Sequence, residues 1–357
     1  MNLLKESDFI IGSHNEDARL LTLKNKNGLL AQFTNYGARW VSMWISDKKG
    51  MFSDILLGFD TLSGYKNAGE RYHGAIVGRV CGRINNARFV LNNKEYTLAS
   101  NDVYGRPVKN HLHGGISAFH NRMWEVKEIS DESVCFSLFS PDGDEGYPGN
   151  LRVEVKYTLT NENALRMECK AYTDAPTVVN LTNHAFFNLQ TDNVEKTILS
   201  QPLTINSSKI VVCNEELIPT SEISSVKGSF LDFSSAKTMA SAIQSANETV
   251  KKDNGFSVAF VLDKANNELG LAAILEDKES GRVMELYTNQ PSLQVYNGYF
   301  MDGTDIGKEN TPYYSSAGIA LETQGYPDAP NHSEFPCISI DENNAYYHLS
   351  EYRFLVK

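Results

Sequence analysis

The stretch Leu151-Arg-Val-Glu-Val-Lys-Tyr-Thr-Leu159 alternates apolar and polar residues without a break. After the turn Asn161-Glu-Asn163, the alternation resumes in Leu165-Arg-Met-Glu-Cys-Lys-Ala171. A period of two marks a strand with one buried and one solvated face. Asn tolerates the positive φ of tight turns, so the two runs are predicted to pair as an antiparallel hairpin. A second hairpin is predicted from Ala87 to Leu98, turning at Asn92-Asn93.

Outward from these hairpins, strands are predicted over 20–24, 29–34, 40–45, 124–129, 133–139, 178–187 and 203–212. Further strands are predicted over 258–262, 271–276, 282–288, 292–297, 317–323 and 352–356. Helical periodicity is confined to about 60–66 and about 235–246, the latter with Ser234 or Ser235 as N-cap. Many short strands between Gly, Asn, Asp and Pro turns read as an all-β sandwich or barrel, not as βαβ units. Without repeats or a linker-like composition shift, residues 1–357 are expected to form one domain.

The formal net charge of −11 argues against nucleic acid and against an anionic membrane surface, both of which want a basic face. A neutral small molecule fits such a surface better. Cys81, Cys135, Cys169, Cys213 and Cys337 are odd in number and lack C-x-x-C spacing. They are expected to be free thiols, which suits a reducing, cytoplasmic setting. No basic-then-apolar leader opens the sequence, and no stretch reaches the length of a membrane span. Nothing in the residues assigns an oligomeric state.

Three segments carry the chemistry. Asn180-Leu-Thr-Asn-His-Ala-Phe-Phe-Asn-Leu189 places His184 inside an apolar run, as a satisfied core residue or as a proton-transfer group. Asn110-His-Leu-His-Gly-Gly115 holds His111 and His113 two apart, on one side if the segment is a strand. Either metal ligation, with His184 and Glu322 completing the set, or hydrogen bonding to a substrate oxygen fits that spacing. Glu322 ends the apolar run Ala317-Gly-Ile-Ala-Leu321. A carboxylate buried there has a raised pKa and can act as a base near neutrality, unless Arg83 pairs with it. Arg79 and Arg83, in Val77-Gly-Arg-Val-Cys-Gly-Arg-Ile84, suit a grip on hydroxyls or a carboxylate; surface salt bridges are the plainer role for Arg79. The turn-rich Asp142-Gly-Asp-Glu-Gly-Tyr-Pro-Gly149 lacks calcium-loop spacing. No G-x-S-x-G or H-E-x-x-H motif supports acyl transfer or zinc proteolysis.

These segments, with Pro291-Ser-Leu-Gln-Val-Tyr296 and Glu322-Thr-Gln-Gly-Tyr-Pro-Asp328, together resemble the galactose mutarotase (aldose 1-epimerase) family, in family order across nearly the whole chain. The resemblance implies a large antiparallel β-sandwich with an open cleft, a free aldohexose as substrate, and neither metal nor organic cofactor. By the same resemblance His184 is the general acid toward the ring oxygen and Glu322 the base toward the C1 hydroxyl. His113, Arg83 and Gln294 correspond to sugar-contacting residues, and Phe186 is counted with them as an aromatic face beside His184. Phe187, Trp124 and Tyr326 offer further aromatic surface that equally suits core packing. Two positions depart from the pattern. Gly82 stands where the family has Asn, and Ser257 falls at the sugar-binding Asp, with Asp253 four residues earlier as a possible substitute. Both departures concern sugar binding, so altered specificity or a non-catalytic sugar-binding relative are the alternatives they raise.

Overall fold

The computed structural model describes residues 1–10, 18–104, 109–190, 197–246 and 255–357. The hairpin at Leu151–Leu159 and Ala164–Thr173 lies within a nine-stranded antiparallel sheet. Its register runs from Leu151↔Thr173 to Leu159↔Leu165, and Asn163 turns it with φ 61°. The alternation does what a period of two requires: Val153, Val155, Tyr157, Leu165, Met167 and Cys169 are fully buried. Each such side chain contributes roughly 1.5–3 kcal/mol by leaving water. Ser133–Ser140 pairs on one side of the hairpin and Tyr346–Val356 on the other.

A six-stranded sheet runs in the order Phe186–Phe187, Ile319–Gln324, Ser292–Tyr296, Ser257–Leu262, Ser207–Cys213, Pro219–Ser225. A four-stranded sheet is built from Leu20–Lys24, Leu30–Thr34, Arg39–Ser46 and Phe52–Asp54. All three bury side chains in one core, among them Trp40, Val155, Met284, Phe260 and Leu321. The architecture is an antiparallel β-sandwich of several sheets. The Arg88–Leu91/Lys94–Thr97 hairpin turns at Asn92 and Asn93, both at positive φ. The five cysteines are free thiols, three of them buried. No helix among the described residues is long and apolar enough to cross a membrane.

Three elements differ from the sequence expectation. The run 203–212 is two strands in two sheets, because Pro202–Ile205 pairs with Gly270–Glu276 and Ser207–Cys213 with Ser257–Leu262. Asn206 makes the corner: its amide donates to Asp263 O and Leu271 O, carbonyls that the change of sheet would otherwise orphan. The run 178–187 is three two-residue pairings, Thr177–Val178, Thr182–Asn183 and Phe186–Phe187, each with a different partner. The helix at 235–246 shortens to Met239–Gln244. Thr238, not Ser234 or Ser235, is its N-cap and accepts from Ser241 N, while Lys237–Thr238 pairs as strand with Pro202–Leu203. The first helix is Leu62–Asn67, capped by Thr61.

Candidate active site

The broken segment 177–188 is held by its asparagines. Asn180 accepts from Gly325 N, Asn183 donates to Gly74 O, and Asn188 donates to Ala317 O. These amides replace the ladder bonds that a continuous strand would have made. Between two of the short pairings sits His184, its N–H donating to Ala75 O and its carbonyl accepting from Gly74 N. Phe186 is fully buried behind it, with ring centroids 5.0 Å apart.

Glu322 enters from the six-stranded sheet, where it pairs in register with Gln294. Gln294 in turn faces Ala259, two residues beyond Ser257, and its amide donates to Ser257 Oγ at 3.0 Å. His184 Nε2 lies 3.6 Å from Glu322 Oε1. Both side chains are 3% exposed, and neither His184 Nδ1 nor Glu322 Oε2 has a protein partner.

Burial sets the chemistry of this pair. Desolvation lowers His184 to about 4 and raises Glu322 to about 8. Both shifts favour the neutral forms. Attraction between an imidazolium and a carboxylate 3.6 Å apart opposes them. Between those limits the pair therefore carries one proton, which belongs to the pair rather than to either residue. Sequence reasoning expected an ionised base and a protonated acid. Burial favours the neutral form of each group, and one proton shared across 3.6 Å separates that state from the ionised pair.

His113 follows the two-residue strand His111–Leu112 with φ 52°. Gly82 N donates to its Nδ1 at 3.2 Å, so the neutral ring keeps its proton on Nε2 as a donor. Its ring stands 5.4 Å from that of His184, and Tyr72 packs against both. The left-handed turn at His113 separates it from His111, so the two do not share a side. His111 instead donates to Ala99 O at 2.8 Å and meets Tyr147 Oη at 2.7 Å, which uses both nitrogens away from the cleft.

The two arginines also part. Arg79 is buried among Pro148 O, Gly149 O, Thr177 and Ser140, so it grips neither substrate nor a surface carboxylate. Arg83 lines the cleft, and its guanidinium is held by Asp102 at 2.7 Å, not by Glu322. Of the residues singled out in the sequence, Gly82, Arg83, His113, His184, Ser257, Gln294 and Glu322 line one cleft. Phe186 supports the His184 ring from inside, Phe187 packs on Trp40 and Tyr352, and Tyr326 packs on Phe335. Asp253 lies outside the described residues. Sequence reasoning missed Glu70, Tyr72, Tyr104, Tyr296, Phe300 and Gln324 among the lining residues. Tyr296 and Gln324 were findable, since each is two residues along a strand from Gln294 or Glu322. The others come from loops.

The comparisons with known proteins give the family. The aldose 1-epimerase family model matches residues 19–353. The chain is 38% identical to galactose mutarotase from Bos taurus over 92% of both chains. It is 34% identical to aldose 1-epimerase from Escherichia coli (strain K12), over 95% of this chain and 96% of that one. Among solved structures, the aldose epimerase homologue from C. elegans superposes with a TM-score of 0.87 at 29% identity, over 95% of this chain and 99% of that one. Galactose 1-epimerase from Lactobacillus acidophilus superposes with a TM-score of 0.82 at 26% identity, over 97% of each. The chain belongs to the aldose 1-epimerase family and is an isomerase that interconverts the anomers of an aldose.

Proposed function

We propose that His184 and Glu322 carry out this interconversion as an acid–base pair on a free aldohexose such as galactose or glucose. The observation that carries the proposal is the pair itself: two buried, oppositely shifted groups 3.6 Å apart, each with an unpartnered polar atom. Glu322, as carboxylate, takes the proton from the C1 hydroxyl. The electrons of that O–H bond form the C1=O double bond, and the C1–O5 pair passes to O5. His184, as imidazolium, delivers its Nε2 proton to O5. The open aldehyde rotates about C1–C2, and the reversed transfers close the other anomer. The pair starts and ends with one proton, so nothing is consumed. A group of this kind contributes roughly 10²–10⁴-fold.

Around the pair, His113 Nε2–H donates to a sugar oxygen, and Arg83, fixed by Asp102, and Gln294 bind hydroxyls. Ser257 takes the place of a binding carboxylate with a neutral, shorter group. The test follows fresh α-D-galactose and α-D-glucose to anomeric equilibrium by polarimetry, wild type beside Glu322→Gln. Fast equilibration by wild type and a rate near the uncatalysed one in the variant is the expected result. Equal rates in the two proteins would remove Glu322 from the mechanism.

A second reading has its own observation. Ligand atoms of His113, His184 and Glu322 lie within 4.8 Å of one another, a donor set that suits zinc. Dialysis against a chelator leaves the rate unchanged under proton transfer and abolishes it under metal catalysis.

A further inference from the structure

One carboxyl in the cleft has no part in the proton transfer. Glu70 follows Gly69 on the loop between the helix Leu62–Asn67 and the strand Ile76–Val77. The loop is pinned through its backbone. Gly69 N and Glu70 N each donate to Asp305 at 2.8 Å, and Tyr104 Oη donates to Gly69 O at 3.2 Å. The backbone at Gly69 and Glu70 is thus held by bonds other than those of the Glu70 side chain.

That side chain is nonetheless 7% exposed and lines the cleft together with Tyr72, Tyr104, Tyr296 and Phe300. A carboxylate offers about four acceptor sites. Glu70 uses one, for a long bond of 3.4 Å from Tyr72 N. Among the described residues no cation makes an ion pair with it. Its remaining acceptor capacity is left to whatever occupies the cleft.

We infer that Glu70 is a substrate-binding residue, whose carboxyl accepts hydrogen bonds from a hydroxyl of the sugar ring on the aromatic wall of the cleft. The inference rests on the cleft being the sugar site. Sugar hydroxyls supply the donors that the protein withholds, and the surrounding rings offer the apolar faces that sugar C–H edges need. The position also explains how the cleft tolerates its two departures. Ser257 and Gly82 leave the cleft with fewer sugar-binding groups, and Glu70 adds a carboxyl from the loop after the first helix. Arg83 is already paired with Asp102, so among the described residues the cleft offers no free side-chain cation to a phosphorylated sugar or a uronate and favours neutral aldoses.

Glu70 also acts on the base at a distance. Its charge helps to raise Glu322, and it sits itself at about 8 through burial and the charge of Asp305, which Arg39 and Arg71 oppose. Removing that charge makes Glu322 easier to ionise, so the pair loses its proton at a lower pH.

The test compares wild type with Glu70→Gln, an isosteric change, on galactose, glucose and their 2-, 3-, 4- and 6-deoxy analogues. Mutarotation is followed by polarimetry, sugar binding by NMR titration and folding by thermal melting. Above about pH 8, where Glu70 is ionised, a charge-assisted hydrogen bond corresponds to roughly 10- to 100-fold in affinity. The expected result is a KM and dissociation constant raised by that factor on the parent sugar, with kcat held within about threefold. The loss should vanish for the one deoxy sugar that lacks the contacted hydroxyl, and the alkaline limb of kcat/KM should move to lower pH. A folded variant with unchanged binding overturns the inference, as does an equal loss on every deoxy analogue. A wild type that binds these sugars without equilibrating them overturns the epimerase mechanism but still lets the binding comparison judge Glu70. A wild type that binds none of them overturns both.

Discussion

The hairpin Leu151–Thr173 and the segment 177–188 lie next to each other in the chain and are built by opposite rules. In the hairpin, backbone bonds run in one uninterrupted register, and alternation alone decides which side chains are buried. In the segment, three two-residue pairings go to three partners, and Asn180, Asn183 and Asn188 supply the bonds between them. Inside, the hairpin holds apolar side chains and Tyr157, whose hydroxyl is satisfied by Ala38 O and Asn183. The segment brings His184 to 2% exposure opposite a buried carboxylate. The lesson is that the interrupted segment places His184 while the regular six-stranded sheet places Glu322 opposite it, so the buried pair needs both kinds of structure.

The contrast predicts a clean separation of effects. His184→Gln and Glu322→Gln should each lower kcat/KM by roughly 10²–10⁴-fold. The double variant should be little worse than the poorer single one, because either loss breaks the coupled transfer. Polarimetry beside thermal melting checks both, and a multiplicative double loss would mean that the residues act independently. Met167→Ala, inside the hairpin, should do the reverse. It should lose about 2–5 kcal/mol in urea unfolding through the cavity it leaves, with kcat of the folded protein unchanged.

Acidity sharpens the comparison further. With His184 at about 4 and Glu322 at about 8, kcat/KM should be level between those values. It should fall about tenfold per unit beyond either, where the pair holds two protons or none. Stability follows the same groups with its own signs. His111 and His184, held down to about 4, and His120 and His348, to about 3, are neutral in the fold. The unfolded chain binds their protons below about 6.5. Stability is therefore complete above that pH and lost below it, by up to roughly 1.4 kcal/mol per histidine per unit. Glu70 and Glu322, raised to about 8, act oppositely: their contribution is present below the unfolded carboxyl range and lost as pH rises to about 8. Melting temperature against pH should thus fall on both flanks, and Glu322→Gln should soften the alkaline one.

The smallest effects belong to the departures. Gly82 has φ 74°, where Asn is tolerated, and the nearest atom to an added Cβ is 3.6 Å away. Gly82→Asn and Ser257→Asp should each lower KM for galactose a few-fold, with kcat unchanged in steady-state polarimetry. A fall in kcat would place these positions in the transfer itself.

The alternating runs around Val155 and Met167 were legible as strands because burial of one face enforces a period of two at every residue. The three site segments were legible too, since a histidine or glutamate inside an apolar run is costly without a purpose. The break of 178–187 was hidden, because a buried strand and three buried fragments read as the same apolar composition. The division of 203–212 between two sheets was hidden for the same reason. His111 and His113 carry the same side chain two positions apart, and only the turn at φ 52° sends one to Tyr147 and the other to the cleft. Arg83 reaches Asp102 rather than Glu322, and Glu70 enters the cleft from a loop without periodicity. The sequence by itself determined the strand-rich architecture and the chemical groups available, since both follow from the order of apolar and polar side chains. Only the tertiary structure decided which groups meet, which are neutralised, and that His184 and Glu322 share one proton. Those outcomes depend on distance and burial between residues far apart in the chain.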